Sequence, residues 1–164
     1  MKAKIKTASE LKERVKVLKR KGARIVFTNG CFDILHIGHV RYLEAAASYG
    51  DVLVVGVNSD SSVRELKGEG RPFVPEAERA EILAAFEMVD LVTVFAEDTP
   101  RKLIASILPD VLVKGGDWKP SQIAGAEEVE LSGGEVITVD LVPGRSTTSL
   151  IEKIVQIRRR EVEI

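Results

Sequence analysis

The chain has 164 residues, 45% of them hydrophobic and 30% charged, with 24 Lys+Arg against 25 Asp+Glu and a formal net charge of −1 at pH 7. That balance fits one soluble domain, and at this length roughly two thirds of the surface of the unfolded chain is buried on folding, so neither disulfides nor a structural metal are needed. A single cysteine, Cys31, excludes an internal disulfide framework, and with only two histidines a typical structural zinc site is excluded as well.

The first 24 residues hold ten Lys/Arg and two Asp/Glu, a net of +8 that leaves −9 for the remainder. A basic arm suits nucleic acid or an acidic partner, but Leu11, Val15 and Leu18 recur at helical spacing, and Thr7 with Glu10 makes a capping-box pair. Residues 1–22 therefore read as a basic amphipathic helix packed on a single domain spanning 1–164. This segment lacks the apolar core of a secretory signal, and no run approaches the ~20 apolar residues of a membrane span. A cytoplasmic protein with neither nucleic acid nor membrane as partner is expected, since aromatics are sparse and not interleaved with the basic clusters.

Further along, short apolar runs alternate with amphipathic stretches. Strands are predicted at 24–28 (RIVFT), 52–57 (VLVVGV), 91–95 (LVTVF), 111–113 (VLV) and 135–140 (EVITVD), and helices at 9–21, 37–48, 59–67, 75–86, 99–107 and 146–159. Repeated strand and crossover helix units predict an α/β fold, a Rossmann-like open parallel sheet of about five strands with helices on both faces. The near-continuous Val, Ile and Leu content implies strands covered on both sides. Pro75 suits a first helical turn, and Arg158, Arg159 and Arg160 suit a helix C-terminus.

In such a sheet ligands bind beyond the carboxyl ends of the strands, where the strand order reverses. Neither G-x-x-x-x-G-K-[ST] nor G-x-G-x-x-G after the first strand is present, which disfavours a P-loop kinase and a dinucleotide dehydrogenase. The strongest constellation is His36-Ile37-Gly38-His39, where the first strand and its loop enter a helix. Spaced by three, the two imidazoles share one face of the first turn, with Gly38 between them to admit a phosphate. Unpaired N–H groups and the positive end of the helix dipole add to this anion site. The plainer alternative is that the histidines cap the helix; a metal site lacks a third ligand. Gly144-Arg145-Ser146-Thr147-Thr148 precedes the last helix and forms a second phosphate cradle, with Ser146 also suited to an N-cap. Asn29, Gly30, Cys31 and Phe32 line the first turn, where Cys31 has no base within the motif and is assigned to packing or backbone contact. Asp33 either caps this turn or approaches Mg2+.

Asn29-Gly-Cys-Phe-Asp-Ile-Leu-His-Ile-Gly-His39 resembles the HxGH nucleotidyltransferase superfamily, which includes the cytidylyltransferases. The resemblance continues through VNSD (57–60), LKGEGRP (66–72), ERAEIL (78–83), DVLVKGGDW (110–118) and GRSTTSLIEKI (144–154). Together these are similar to the heptose 1-phosphate adenylyltransferases, the nucleotidyltransferase half of bifunctional ADP-heptose synthases. The resemblance implies transfer of AMP from ATP to a sugar 1-phosphate, with Mg2+ accompanying the ATP. It implies that His36, His39 and Lys67 are catalytic, that Lys114, Gly115, Asp117 and Trp118 meet ribose and base, and that Arg71 and Arg79 reach substrate phosphate. Arg145, Ser146, Thr147 and Thr148 would meet the nucleotide from the second cradle.

Two departures from the cytidylyltransferase pattern argue against CTP: the positive group of the last loop stands at Arg145, and Glu69 replaces a second lysine. Alternatives are a glycerol 3-phosphate or other alcohol-phosphate cytidylyltransferase and a non-catalytic nucleotide-binding module. A separate sugar kinase in the pathway is expected, and a homo-oligomer is allowed.

Overall fold

The computed structural model describes residues 2–116, 118–119, 122–140, 142–144 and 146–162. Five strands, β1 (Ile25–Gly30), β2 (Val52–Asn58), β3 (Leu91–Phe95), β4 (Val111–Gly115) and β5 (Glu135–Val139), pair in parallel in the order β3-β2-β1-β4-β5. The helices are α1 (Ala8–Arg20), α2 (Ile37–Ala47), α3 (Asp60–Lys67), α4 (Glu76–Ala85), α5 (Arg101–Ile107), α6 (Ala126–Leu131) and α7 (Thr147–Val162). None of the described helices is long and apolar enough to cross a membrane.

Alternation along the strands divides the core into two layers. Val26, Leu53, Val55, Val111 and Val113 face α2 and α4, meeting Leu43, Ala46, Leu83 and Ala84. On the other face Ile25, Phe27, Val54 and Leu112 meet Leu11 and Val15 of α1, Leu103, Ile104 and Ile107 of α5, and Val129 of α6. Each fully buried Val, Leu or Phe contributes about 1.5–3 kcal/mol relative to exposure, which is why these runs must be sheet and not loop. The path from β1 to β3 uses helices on one face and the path from β3 through β4 to β5 uses the other. Strand order therefore reverses between β1 and β4, and a crevice opens at their carboxyl ends.

The basic N-terminal helix runs over Ala8–Arg20 and not the whole of 1–22, and it buries Leu11 and Val15. Thr7 accepts from the Glu10 N–H and the Glu10 carboxylate accepts from the Thr7 N–H at 2.8 Å, closing the capping box. Its positive charge is partly used at home, since Lys19 pairs with Asp110 at 3.0 Å and Arg24 with Glu135 at 3.0 Å.

Three expectations need correction. β5 is an edge strand with residues half-buried or exposed, not covered on both faces. A helix was not expected at Ala126–Leu131, where only six residues end on a Gly-rich turn and the apolar periodicity is too short to read. Pro75 is the N-cap of α4, one position before the first turn.

Candidate active site

A cleft of ≈ 380 Å3 opens at the reversal point. The loop after β1, the first turn of α2, the ends of α3 and β4, and the start of α7 all contribute to it. Its floor begins at Asn29 and Gly30, where β1 runs two residues past its predicted end. Phe32 then takes a left-handed backbone with φ of 48°, uncommon for a side chain of this size. That turn folds its ring onto Gly30, where an added Cβ would meet the ring at 3.1 Å, and tilts it against His39 at 5.7 Å between centroids. Cys31 lines the cleft; burial pushes its thiol pKa up although Lys67, Arg79, Lys114 and Arg71 oppose this, so it is poorly suited to act as a thiolate.

His36 and His39 cap α2. The Gly38 N–H donates to His36 Nδ1 at 3.1 Å, and the His36 N–H donates to His39 Nδ1 at 3.3 Å. A nitrogen that accepts carries no proton, so the neutral form of each ring carries its proton on Nε2. The rings lie 4.0 Å apart between centroids. Burial, reinforced by the neighbouring His36, lowers the His39 pKa from 6.5 to about 4, which keeps it a neutral Nε2–H donor at pH 7. The functional and capping readings of this motif are therefore compatible: the caps fix the tautomer that a phosphate needs.

Below this turn, two buried charges hold the loops in place. Asp33 accepts from the Phe73 and Val74 N–H groups, each at 2.9 Å, and pairs with Arg71 Nε at 2.6 Å. Burial works to raise its pKa, but these donors outweigh it and the net shift is downward. Arg71 lines the cleft and stands 5.1 Å from the Phe73 ring centre. Arg79 is a correction. Rather than reaching substrate phosphate, it is 0% exposed, donating to Val74 O at 2.9 Å, to Cys31 O, and to Asp60 at 2.7 Å. It ties β1's turn to α3 and α4, with Asp60 as its ion-pair partner.

Lys67, at the end of α3, and Lys114, in β4, bring two ammonium groups to the cleft. Lys114 hydrogen-bonds Asn29 Oδ1 at 3.3 Å, and burial lowers its pKa. Opposite α2, Ser146 caps α7 by accepting from the Ser149 N–H at 3.0 Å, and Thr147 donates to Ile34 O at 3.2 Å. Gly38, Gly115, Ser146, Thr147 and Thr148 also line the cleft, so both helix N-termini border it. Trp118 does not: it is 49% exposed beyond β4. Asp117 and Arg145 lie outside the described residues. Sequence reasoning missed Tyr42 and Val142 in the lining. Tyr42 Oη lies 2.6 Å from Thr28 Oγ1 and donates to Val113 O at 3.2 Å, and burial pushes its pKa up to about 12. It clamps α2 across β1 and β4; its place one turn beyond the histidines was the only sequence signal.

A parallel sheet with two helix N-termini and two lysines converging at its reversal point defines a nucleotide-binding α/β domain. Residues 27–152 match the family described as cytidylyltransferase-like, and the chain belongs to that family of nucleotidyltransferases. A bifunctional protein HldE of Geotalea uraniireducens is 58% identical over 152 residues, 93% of this chain and 31% of the relative. The HldE of Rhodopseudomonas palustris (strain BisB5) is 58% identical over 91% of this chain and 30% of its own length. The chain thus spans under a third of these relatives. Among solved structures, the lipopolysaccharide core biosynthesis protein of Thermoplasma volcanium matches 74% of this chain and 98% of its own with TM-score 0.61 and 28% identity. The pantoate-beta-alanine ligase of Francisella tularensis, solved with ATP analogue and beta-alanine, covers 87% of this chain and 68% of its own, with TM-score 0.61 and 17% identity, a likeness of fold alone.

Proposed function

We propose that this domain transfers AMP from ATP to a heptose 1-phosphate, giving ADP-heptose and pyrophosphate. The observation that supports it best is that His36 and His39, each accepting at Nδ1 and so left with Nε2 as the donor in the neutral ring, line one cleft with Lys67, Lys114, Thr147 and Thr148. These groups suit a triphosphate whose charge moves outward as the α–β bond breaks. An oxygen of the sugar phosphate attacks the α-phosphorus in line, and pyrophosphate leaves from the opposite side with the bonding electrons. The attacking oxygen is already ionised, so positioning and charge stabilisation suffice and no general base is needed. Cys31, with its raised pKa, takes no covalent part.

Mg2+ enters as part of the nucleotide substrate. Among the described residues no three His, Cys, Asp or Glu cluster to hold a resident ion, and both Asp33 oxygens already accept hydrogen bonds. The identity to the two HldE proteins and the resemblance of KGGDW and STTSLI favour an ADP-sugar product. Since those relatives are bifunctional and this chain spans under a third of them, we assign the kinase step that supplies the sugar phosphate to another polypeptide or domain.

The family description favours one rival, CTP with an alcohol phosphate such as glycerol 3-phosphate. Pyrophosphate release measured with ATP and CTP, each against heptose 1-phosphate and glycerol 3-phosphate, decides. Turnover is expected with ATP and heptose 1-phosphate; turnover only with CTP and glycerol 3-phosphate would overturn the proposal, and tight ATP binding with no turnover would favour a non-catalytic module.

A further inference from the structure

Beside the cleft, and sharing Lys67, Arg71 and Thr148 with it, lies a second concavity of ≈ 380 Å3 between the turn after α3 and the first turns of α7. Its chemistry differs from that of its neighbour. Past the shared cations it is lined by two carboxylates, Glu69 and Glu152, and by Phe73, whose side chain leaves it 55% exposed. Neither glutamate side chain is engaged in an ion pair or hydrogen bond among the described residues.

A carboxylate only accepts hydrogen bonds and repels phosphate, so the two glutamates suit hydroxyl donors. Lys67 and Arg71 at the shared rim suit an anion. The gradient from cations to carboxylates therefore orients a ligand that is anionic at one end and polyhydroxylated at the other, with an apolar ring edge against Phe73. We infer that this concavity is the acceptor subsite, in which Glu69 and Glu152 accept hydroxyls of the sugar body and set specificity for a polyhydroxylated phosphate ester. The inference rests on the transfer reaction proposed above and names where its second substrate sits. It also gives a reason for a glutamate at position 69, in a loop otherwise built for anions.

The test is steady-state pyrophosphate release by the full chain, with ATP and heptose 1-phosphate varied in turn, for wild type, Glu69→Ala, Glu152→Ala and the two Glu→Gln variants. The Ala variants are expected to raise the acceptor KM roughly tenfold, the scale of one hydrogen bond to a charged group, with the Gln variants intermediate. The ATP KM is expected to stay within about twofold, which a general loss of structure would not allow. An unchanged acceptor KM in both Ala variants, or an ATP KM that rises in step with it, overturns the subsite while leaving the transfer reaction standing. If wild type uses glycerol 3-phosphate with CTP and no sugar 1-phosphate, the proposed reaction fails and the sugar subsite with it; the wild-type arm separates the two failures.

Discussion

The two helix N-termini that border the cleft are built differently. That of α2 is fixed from several directions: both histidines are used as caps, Phe32 packs on His39, and Tyr42 anchors the next turn between β1 and β4. Among the described residues, that of α7 is held by a serine cap and by a hydroxyl bond from Thr147 to Ile34 O, and its far half leaves Ile154 and Ile157 55% and 50% exposed. Preorganised donors are worth most where charge develops, because they need no rearrangement at the moment of reaction. Under the proposed reaction, the α2 side is therefore the one expected to stabilise developing charge, and the α7 side the one expected to contribute binding.

Breaking the rigid side should have the largest effect. His36→Ala and His39→Ala are each expected to lower kcat by about 10²- to 10³-fold, the scale of one preorganised donor, and the double variant to abolish turnover. Circular dichroism should show the fold retained; near-normal rates in the double variant would remove the role of the pair. Next is the buried charge beneath that side. Arg79→Met leaves Asp60 unpaired, and because Asp60 is partly exposed we expect a loss of about 2–4 kcal/mol in urea unfolding, below the full cost of breaking a buried pair. An unchanged urea midpoint would show that Arg79 does not hold the loops.

On the α7 side, Thr147→Val removes the hydroxyl without changing shape. The ATP KM should rise roughly tenfold at most, the worth of about one hydrogen bond, with kcat less affected. A kcat loss as large as that of the histidine variants would erase the distinction between the two walls. The smallest effect is on pH dependence. The unfolded chain protonates His39 near 6.5 whereas the folded chain resists until about 4, so stability is full above the higher value and declines as pH falls between them. Wild type should lose about 1 kcal/mol more than His39→Gln between pH 7.5 and 5, allowing for the partly exposed ring. Equal losses would show that folding does not lower the His39 pKa.

Much of this was legible in the sequence because it is local. Strand and helix positions follow from periodicity and from Thr7, Glu10 and Pro75, and the HxGH spacing by itself places two imidazoles on one helical turn. What sequence reasoning missed depends on distant partners. Arg79 resembles a surface or phosphate-binding arginine until Cys31, Val74 and Asp60 are brought around it by three separate elements. The sequence leaves Asp33 between capping a turn and approaching Mg2+, and its use by Phe73 and Val74, forty residues away, cannot be read from neighbours. The resemblance gives Trp118 to ribose and base, and the side chain is exposed and not among the residues that line the cleft.

The most direct test is a crystal structure with the α,β-methylene analogue of ATP. The account predicts its phosphates within about 3 Å of His36 and His39 Nε2 and of the Thr147 or Thr148 hydroxyl, the ordinary hydrogen-bond range. A triphosphate bound elsewhere, with both imidazoles out of reach, would contradict it.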